Sequence, residues 1–335
     1  MASHARGWWI TGEGSRDLSA VFRTDIAPSE WGEGALEVAV SYSALNYKDA
    51  LALEGSRGVV RKTPLIPGID AVGKVVSSGD GAYPTGDTVI LTGWGHGEDR
   101  HGGLASRLVT DAHHVLALPA GLSAHQFATL GTAGLTAALA VSMLEKNGVT
   151  PTASSLPVAV TGAAGGVGSL AIFLLAQAGF SVVAITGRTG EADYLTHLGA
   201  TKVVSRQEVL INAGKQLLAE RYSAVIDQAG GELLATLLAS LAPNGVAIAC
   251  GLAGGSHLPT TVMPFILRGI SLHGINSVNQ PSDVRHQMWD RWASLAPRAP
   301  WSEIATTILL EEAGSHASRV LAGATRGRLV VQVED

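Results

Sequence analysis

Four short stretches carry residue types that could do chemistry. The first, AVTGAAGGVGS (159–169), sets Gly162, Gly165 and Gly168 three apart, with Gly166 beside them. It follows an apolar strand-like run and opens a helix-like one. Glycines at that junction let the chain turn tightly and let backbone N–H groups approach a pyrophosphate, whose charge the helix N-terminus then faces. A tight strand-to-helix turn without a ligand is the bland alternative, and the strand and helix on either side favour the nucleotide. The second stretch, AITGRTG (184–190), ends the next strand. A site for a dinucleotide with a free ribose 2′-hydroxyl places an acid there, and a site for a 2′-phosphate places an arginine. Here stand Thr186, Gly187 and Arg188; the nearest acid, Glu191, lies past the turn, and Arg206 follows the third strand. A guanidinium grips a phosphate bidentately, so the pair predicts NADPH, against the alternative of two solvated turn residues.

The third stretch, SALNYKDAL (43–51), gathers Asn46, Tyr47, Lys48 and Asp49. Tyr47 can give a proton or hydrogen-bond a carbonyl or a nicotinamide; packing of its ring on the core is the structural alternative. The fourth, LIPGIDAVGKVV (65–76), interrupts an apolar run once, with Asp70. A buried carboxylate is costly unless paired or working, so Asp70 either ties down a turn or belongs to an active site.

The elements around these stretches fall into two textures. Residues 1–125 show short apolar runs between Gly and Pro turns, the pattern of a β-rich unit. From Ser123 to Gly148 apolar residues recur at helical spacing. Thereafter strands and helices alternate through ISLHGI (270–275), which predicts a parallel sheet of six strands covered on both faces. The tail, about 300–335, ends in one more strand, GRLVVQV. The expected organisation is therefore α/β: residues 1–125 and 300–335 form a β-rich catalytic domain, and 126–299 a doubly wound, Rossmann-type domain.

Composition narrows the class. Of 335 residues, 46% are hydrophobic and 15% charged, with a net charge of −5, so nothing suggests a nucleic-acid or membrane partner. A single cysteine, Cys250, excludes an internal disulfide and any multi-cysteine metal centre and fits a reducing cytoplasm. The N-terminus lacks a signal-like apolar core, and no uninterrupted run of about 18 apolar residues occurs. None of the tyrosines has a lysine four residues on, which argues against a short-chain dehydrogenase, and a Gly-Lys-Ser/Thr phosphate loop is absent.

A β-rich unit ahead of this sheet resembles the medium-chain dehydrogenase/reductase superfamily, whose N-terminal half is GroES-like. In its zinc alcohol dehydrogenases a Pro-Gly-His-Glu segment supplies a zinc ligand. Here the segment is Pro67-Gly68-Ile69-Asp70, and residues 1–125 contain no cysteine. A catalytic zinc needs about three protein ligands, so no metal is expected. Histidines 96, 101, 113 and 114 lack ligand spacing and read as structural. A reductase without zinc suits hydride addition to an activated C=C bond, where charge spreads into an enolate.

The segments NYKDALAL, PLIPGIDAVGKV, LTGWGHGEDRHGGLA, GTAGLTAA, VTGAAGGVGS, GLAGGSHLPTTVMPFILRGISLHGINSV and GRLVVQV stand in this order. Together they resemble the acrylyl-CoA reductase branch, often labelled quinone oxidoreductase. The resemblance implies NADPH-dependent reduction of acrylyl-CoA to propionyl-CoA, with a quinone or general enone reductase as the alternative and a non-catalytic NADPH-binding module as the rival from another class. It implies cofactor contacts at Tyr47, Ala164, Gly165, Gly166, Val167, Thr186, Gly187, Arg188, Arg206, Leu252, Ile266 and Ser277. Thr186 stands where serine is expected. Catalytic roles fall to Tyr47, Asn46 and Asp70. Arg57, Arg61 and Lys62 are possible contacts for CoA phosphates, against the alternative of a solvated basic loop. A homodimer through ISLHGI is expected.

Overall fold

The computed structural model of the chain describes residues 4–13, 16–56, 58–152 and 156–334. Arg57 therefore lies outside the described residues. The chain divides into two compact units, Met1–Thr132 with Ser277–Asp335, and Ala133–Asn276.

The first unit is β-rich. Six strands form a path running Ala305–Leu309, Arg328–Gln332, Leu36–Leu45, Asp70–Ser78, Thr88–Thr92 and Val115–Ala117, and Arg107–Thr110 also pairs with Leu36–Leu45. All neighbours are antiparallel except the first two, which are parallel. Leu36, Val38 and Val40 alternate inward and pack with Val75, Leu91, Leu108 and Val331 in one core, as period-2 patterning requires. A hairpin of Ala5–Glu13 and Arg16–Ile26 forms a separate two-stranded sheet. Helix α1 (Tyr47–Leu53) leaves the end of the central strand.

Helix α2 (Ala124–Lys146) is not regular. Gly131 adopts φ 46° and ψ −149°, breaking the helix into two pieces. By length and composition α2 could cross a membrane, yet 83% of its most apolar window is buried inside the protein, as in a core helix. The sequence reading found no such run because it counted uninterrupted apolar residues, and Gly131, Thr132, Gly134 and Thr136 interrupt this one.

Residues 277–299, grouped with the parallel sheet on sequence grounds, cluster instead with the first unit. Helix Ser282–Leu295 explains why. Its Arg285 is 1% exposed and donates to the Thr92 carbonyl at 2.9 Å, and Trp289 packs edge-on against Phe127 at 5.1 Å.

The second unit is a six-stranded sheet in the order Lys202–Ser205, Val182–Thr186, Val158–Val160, Tyr222–Asp227, Leu241–Ala249 and Ser271–Gly274. Every neighbouring pair is parallel. In sequence order this is 3-2-1-4-5-6, the doubly wound arrangement, with its switch point between Val158–Val160 and Tyr222–Asp227. Helix α3 (Gly166–Gln177) follows the first of these strands.

Candidate active site

In the second unit the strand ends at the switch point build a cradle. Thr161 donates its hydroxyl to Asp227 Oδ1 at 2.7 Å, and the Gly230 amide donates to Asp227 Oδ2 at 2.7 Å. Asp227 is wholly buried, and burial raises its pKa. Gly162 adopts φ +54°, a left-handed conformation that glycine takes without strain. A Cβ on Gly168 would sit 2.4 Å from the Gly162 carbonyl oxygen, so only glycine lets α3 start this close to the loop. No side chain caps α3 at Gly165. Its first-turn N–H groups are thus left for an anion, and Gly165, Gly166 and Val167 are half-exposed there, above buried Ala164.

The arginines predicted to read a 2′-phosphate each reach the nucleotide-binding loops. Arg188 donates its guanidinium to the Ala164 carbonyl at 3.1 Å, and its amide is held by the Thr186 hydroxyl at 3.0 Å. The Arg206 guanidinium carbon lies 3.6 Å from where a Cβ of Gly187 would stand. The Arg206 guanidinium thus stands beside Gly187 and that of Arg188 on the pyrophosphate loop at Ala164, and these residues fit a dinucleotide carrying a 2′-phosphate. Leu252 and Ile266 belong to this unit and are 63% and 72% exposed. Ser277 and Tyr47 lie on the first unit. The Ser277 carbonyl accepts from Arg285 at 3.1 Å, and Tyr47 is 43% exposed.

In the first unit Asp70 stands in a buried polar knot. Asp70 and Asp49 are 0% and 1% exposed. The Asn46 amide donates to both, at 2.8 Å to Asp70 Oδ2 and 2.9 Å to Asp49 Oδ2. Its Oδ1 accepts from Arg328 Nη1 at 3.0 Å. Arg328 is 4% exposed, with Nη2 3.6 Å from Asp70 Oδ2. Thr132 donates its amide (2.9 Å) and hydroxyl (2.6 Å) to Asp70 Oδ1. Gly131 admits this contact, because a Cβ there would meet Asp70 Oδ2 at 2.2 Å. Asp49 accepts from the Ile69 and Asn46 amides. Burial first, and the neighbouring Asp70 second, push the Asp49 pKa up to about 6. Burial likewise lowers the Arg328 pKa, against the pull of Asp70 and Asp49.

This knot decides what its members can do. Both amide hydrogens of Asn46 and its carbonyl oxygen are committed, so Asn46 keeps no donor for a substrate. Asp70 has no exposed surface. The two fix the start of α1, where Tyr47 is the first helical residue; the Tyr47 hydroxyl makes no hydrogen bond among the described residues. Sequence reading missed Arg328, the partner that Asp70 required.

The histidines form a relay. His96 Nδ1 lies 2.6 Å from the His101 carbonyl, which only accepts, so that nitrogen carries the proton. His96 Nε2 then accepts from the Thr110 hydroxyl at 3.0 Å, and Thr110 accepts in turn from His114 Nδ1 at 3.2 Å. His101 Nδ1 accepts from the Ile66 amide. Asp111, His113 and His114 bring ligand-type atoms within 4.8 Å of one another, a grouping without His96 or His101.

Burial pushes the His96 pKa down to about 4. The unfolded chain takes up this proton below about 6.5 and the folded one only near 4. Stability present above pH 6.5 is therefore lost as pH falls toward 4, by about 2 kcal/mol at pH 5. Asp49 acts oppositely, because its folded pKa is raised. Between pH 6 and the usual carboxylate range the folded state keeps a proton that the unfolded chain has shed, so stability rises as pH falls through that window. The expected result is that a His96→Gln protein loses about 2 kcal/mol less than the parent between pH 7 and 5 in denaturant titrations. An identical pH profile would refute the buried neutral imidazole.

Comparison with known proteins agrees with this geometry. Residues 32–120 match the alcohol dehydrogenase GroES-like domain and residues 166–294 the zinc-binding dehydrogenase domain. Acrylyl-CoA reductase AcuI of Ruegeria pomeroyi is 44% identical over 300 residues, covering 90% of each chain. The putative quinone oxidoreductase YhfP of Bacillus subtilis is 41% identical over 95% of this chain and 96% of its own. Its crystal structure with NAD bound superposes with a TM-score of 0.91, covering 98% of this chain and 99% of that one. The YhdH oxidoreductase of Salmonella enterica, in complex with NADP, gives a TM-score of 0.93 at 40% identity, covering 98% of this chain and all of that one.

Proposed function

The chain belongs to the acrylyl-CoA reductase family of the medium-chain dehydrogenase/reductases, and from that premise we propose that it reduces acrylyl-CoA to propionyl-CoA with NADPH. The observation that carries the cofactor is the pair of guanidiniums, Arg206 beside Gly187 and Arg188 on the Ala164 carbonyl, with the uncapped start of α3. NADPH, when bound, supplies the hydride that adds to the β-carbon of the thioester. The α3 N-terminus neutralises the pyrophosphate, and the two arginines with Thr186 hold the 2′-phosphate side. The exposed Leu252 and Ile266 offer apolar surface to the cofactor. Tyr47 is the one candidate donor whose hydroxyl is uncommitted. It hydrogen-bonds the thioester carbonyl as enolate charge develops, and it or water returns the α-proton. Asn46 and Asp70 act by holding α1, and Tyr47 with it, in place.

The single cysteine supports a cytoplasmic setting. An edge strand, Ser271–Gly274, follows a short helix, Met263–Arg268, that leaves Ile266 and Leu267 exposed, and this supports a homodimer through that edge. The family also includes proteins labelled quinone oxidoreductases, which keeps a quinone or enone acceptor as the second reading.

Nicotinamide absorbance followed with metal-stripped protein, NADPH and a panel of acceptors tests this. The expected result is oxidation by acrylyl-CoA faster than by crotonyl-CoA or a benzoquinone. Turnover of quinone alone would assign the second reading, and silence with every acceptor would leave a binding module.

A further inference from the structure

Glu98 is a third buried carboxylate in the first unit, 4% exposed and outside the knot around Asp70. Its Oε1 accepts from Lys48 Nζ at 2.7 Å, and its Oε2 lies 3.4 Å from Arg61 Nη2. Its backbone carbonyl accepts from the Arg61 amide at 2.8 Å, which ties the Arg61 loop to this point. One buried anion thus gathers two cations, and a positive charge is left over. That charge faces water: the Lys48 side chain is 32% exposed and that of Arg61 64%. Lys62, next after Arg61, and Arg100, two residues after Glu98, are exposed as well. Asp99 is the one exposed acid on these two segments, so with Lys48 four cations stand against Glu98, Asp99 and the buried Asp49 beside Lys48.

Stability is a poor account of this arrangement. One cation, Lys48 at 2.7 Å, suffices to pair the buried carboxylate; the second, the mostly exposed Arg61 at 3.4 Å, adds little stability and costs rotamer entropy to order. Holding both cations on a carboxylate that water barely reaches has a different effect: it prepares them for an incoming anion, so the ordering cost does not fall on binding. Charge-assisted bonds from ammonium and guanidinium suit phosphate oxygens best. The position is informative too. Lys48 directly follows Tyr47 in α1, about 3.8 Å along the backbone, so one of the two cations shares a helix with the proposed proton donor.

We propose that Lys48 and Arg61, gathered by Glu98, form the docking point for the phosphates of a CoA thioester. The inference rests on the reading of the chain as an enoyl-CoA reductase and deepens it. A quinone or simple enone carries no phosphate and would gain nothing here, whereas CoA carries a diphosphate and a 3′-phosphate.

The test is calorimetric titration of coenzyme A, and separately of adenosine 3′,5′-bisphosphate, into the full-length protein saturated with NADP+. Saturation keeps either probe out of the nucleotide cradle. Arg61→Ala is expected to raise Kd for both probes about tenfold, and Arg61→Glu further. The parent's affinity should also fall with added salt. Arg61 is mostly exposed, so its loss should leave the fold intact. Equal Kd values in parent and Arg61→Ala would overturn the docking point, and brisk turnover of acrylyl-CoA by both proteins would show that the reductase reading survives. A parent that binds neither probe yet reduces simple enones with NADPH would overturn both.

Discussion

Replacing Arg328 by methionine is expected to lower the stability of the first unit by about 3–5 kcal/mol at pH 7, because removing one partner of a buried ion pair strands the other. Two carboxylates, Asp49 and Asp70, would then share a site without the Arg328 guanidinium, leaving Arg285 as the cation still acting on Asp70, and Asn46 would lose its donor at 3.0 Å. The chain can escape by protonation. Asp49, already pushed up to about 6, would shift further, so the deficit should shrink as pH falls from 7 to 5. Denaturant midpoints at both pH values measure this. A loss below about 1 kcal/mol at pH 7 would mean that the pair is replaceable at no net cost, as buried ion pairs sometimes are. Adding Asp70→Asn to Arg328→Met should recover part of the loss, since the stranded charge goes with it.

The second large effect concerns cofactor choice. Arg188→Ala with Arg206→Ala is expected to cut the preference for NADPH over NADH by at least about a hundredfold. Each charge-assisted contact to phosphate contributes about 1.5–3 kcal/mol. The change should appear in KM for NADPH, with KM for NADH little altered, because NADH lacks the group these arginines hold. YhfP of B. subtilis, at 41% identity, has been crystallised with NAD, so the family scaffold alone does not settle the choice. An unchanged NADPH to NADH ratio in the double variant would assign discrimination to other residues.

What was legible in the chain was local. The glycine loop, the strand before it and the arginine twenty residues on announce themselves by spacing, and the six-strand parallel sheet follows from its alternating texture. Asp70 was legible as a problem, a charge inside an apolar strand, but its solution was not. Arg328 opens an apolar strand in the same way, yet nothing near either residue names the other. Only the antiparallel pairing of Arg328–Gln332 with the strand that ends at Leu45 brings the guanidinium to Asn46. Spacing was equally silent on Gly131. Helical spacing places it inside a helix, and its use, leaving room for a carboxylate from a distant strand that would stand 2.2 Å from any Cβ there, is something no periodicity encodes. Glu98 carries no sequence signal of its burial, which comes from the fold of its loop rather than from its neighbours in sequence.

The first unit is discontinuous, and this bears on how the protein is made. A ribosome delivers residues 1–132 before any of 277–335 exist, at about 5–20 residues per second. During that interval Asp49 and Asp70 lack Arg328 and Arg285, the cations that act on them from the later segment, and the strand Leu36–Leu45 lacks its neighbour Arg328–Gln332. Residues 133–276, a unit continuous in the chain, can meanwhile form their own sheet. Maturation thus runs out of chain order: the segment born first is finished last, and until then it presents an unpaired strand edge and two acids without these cations to whatever chaperones attend synthesis.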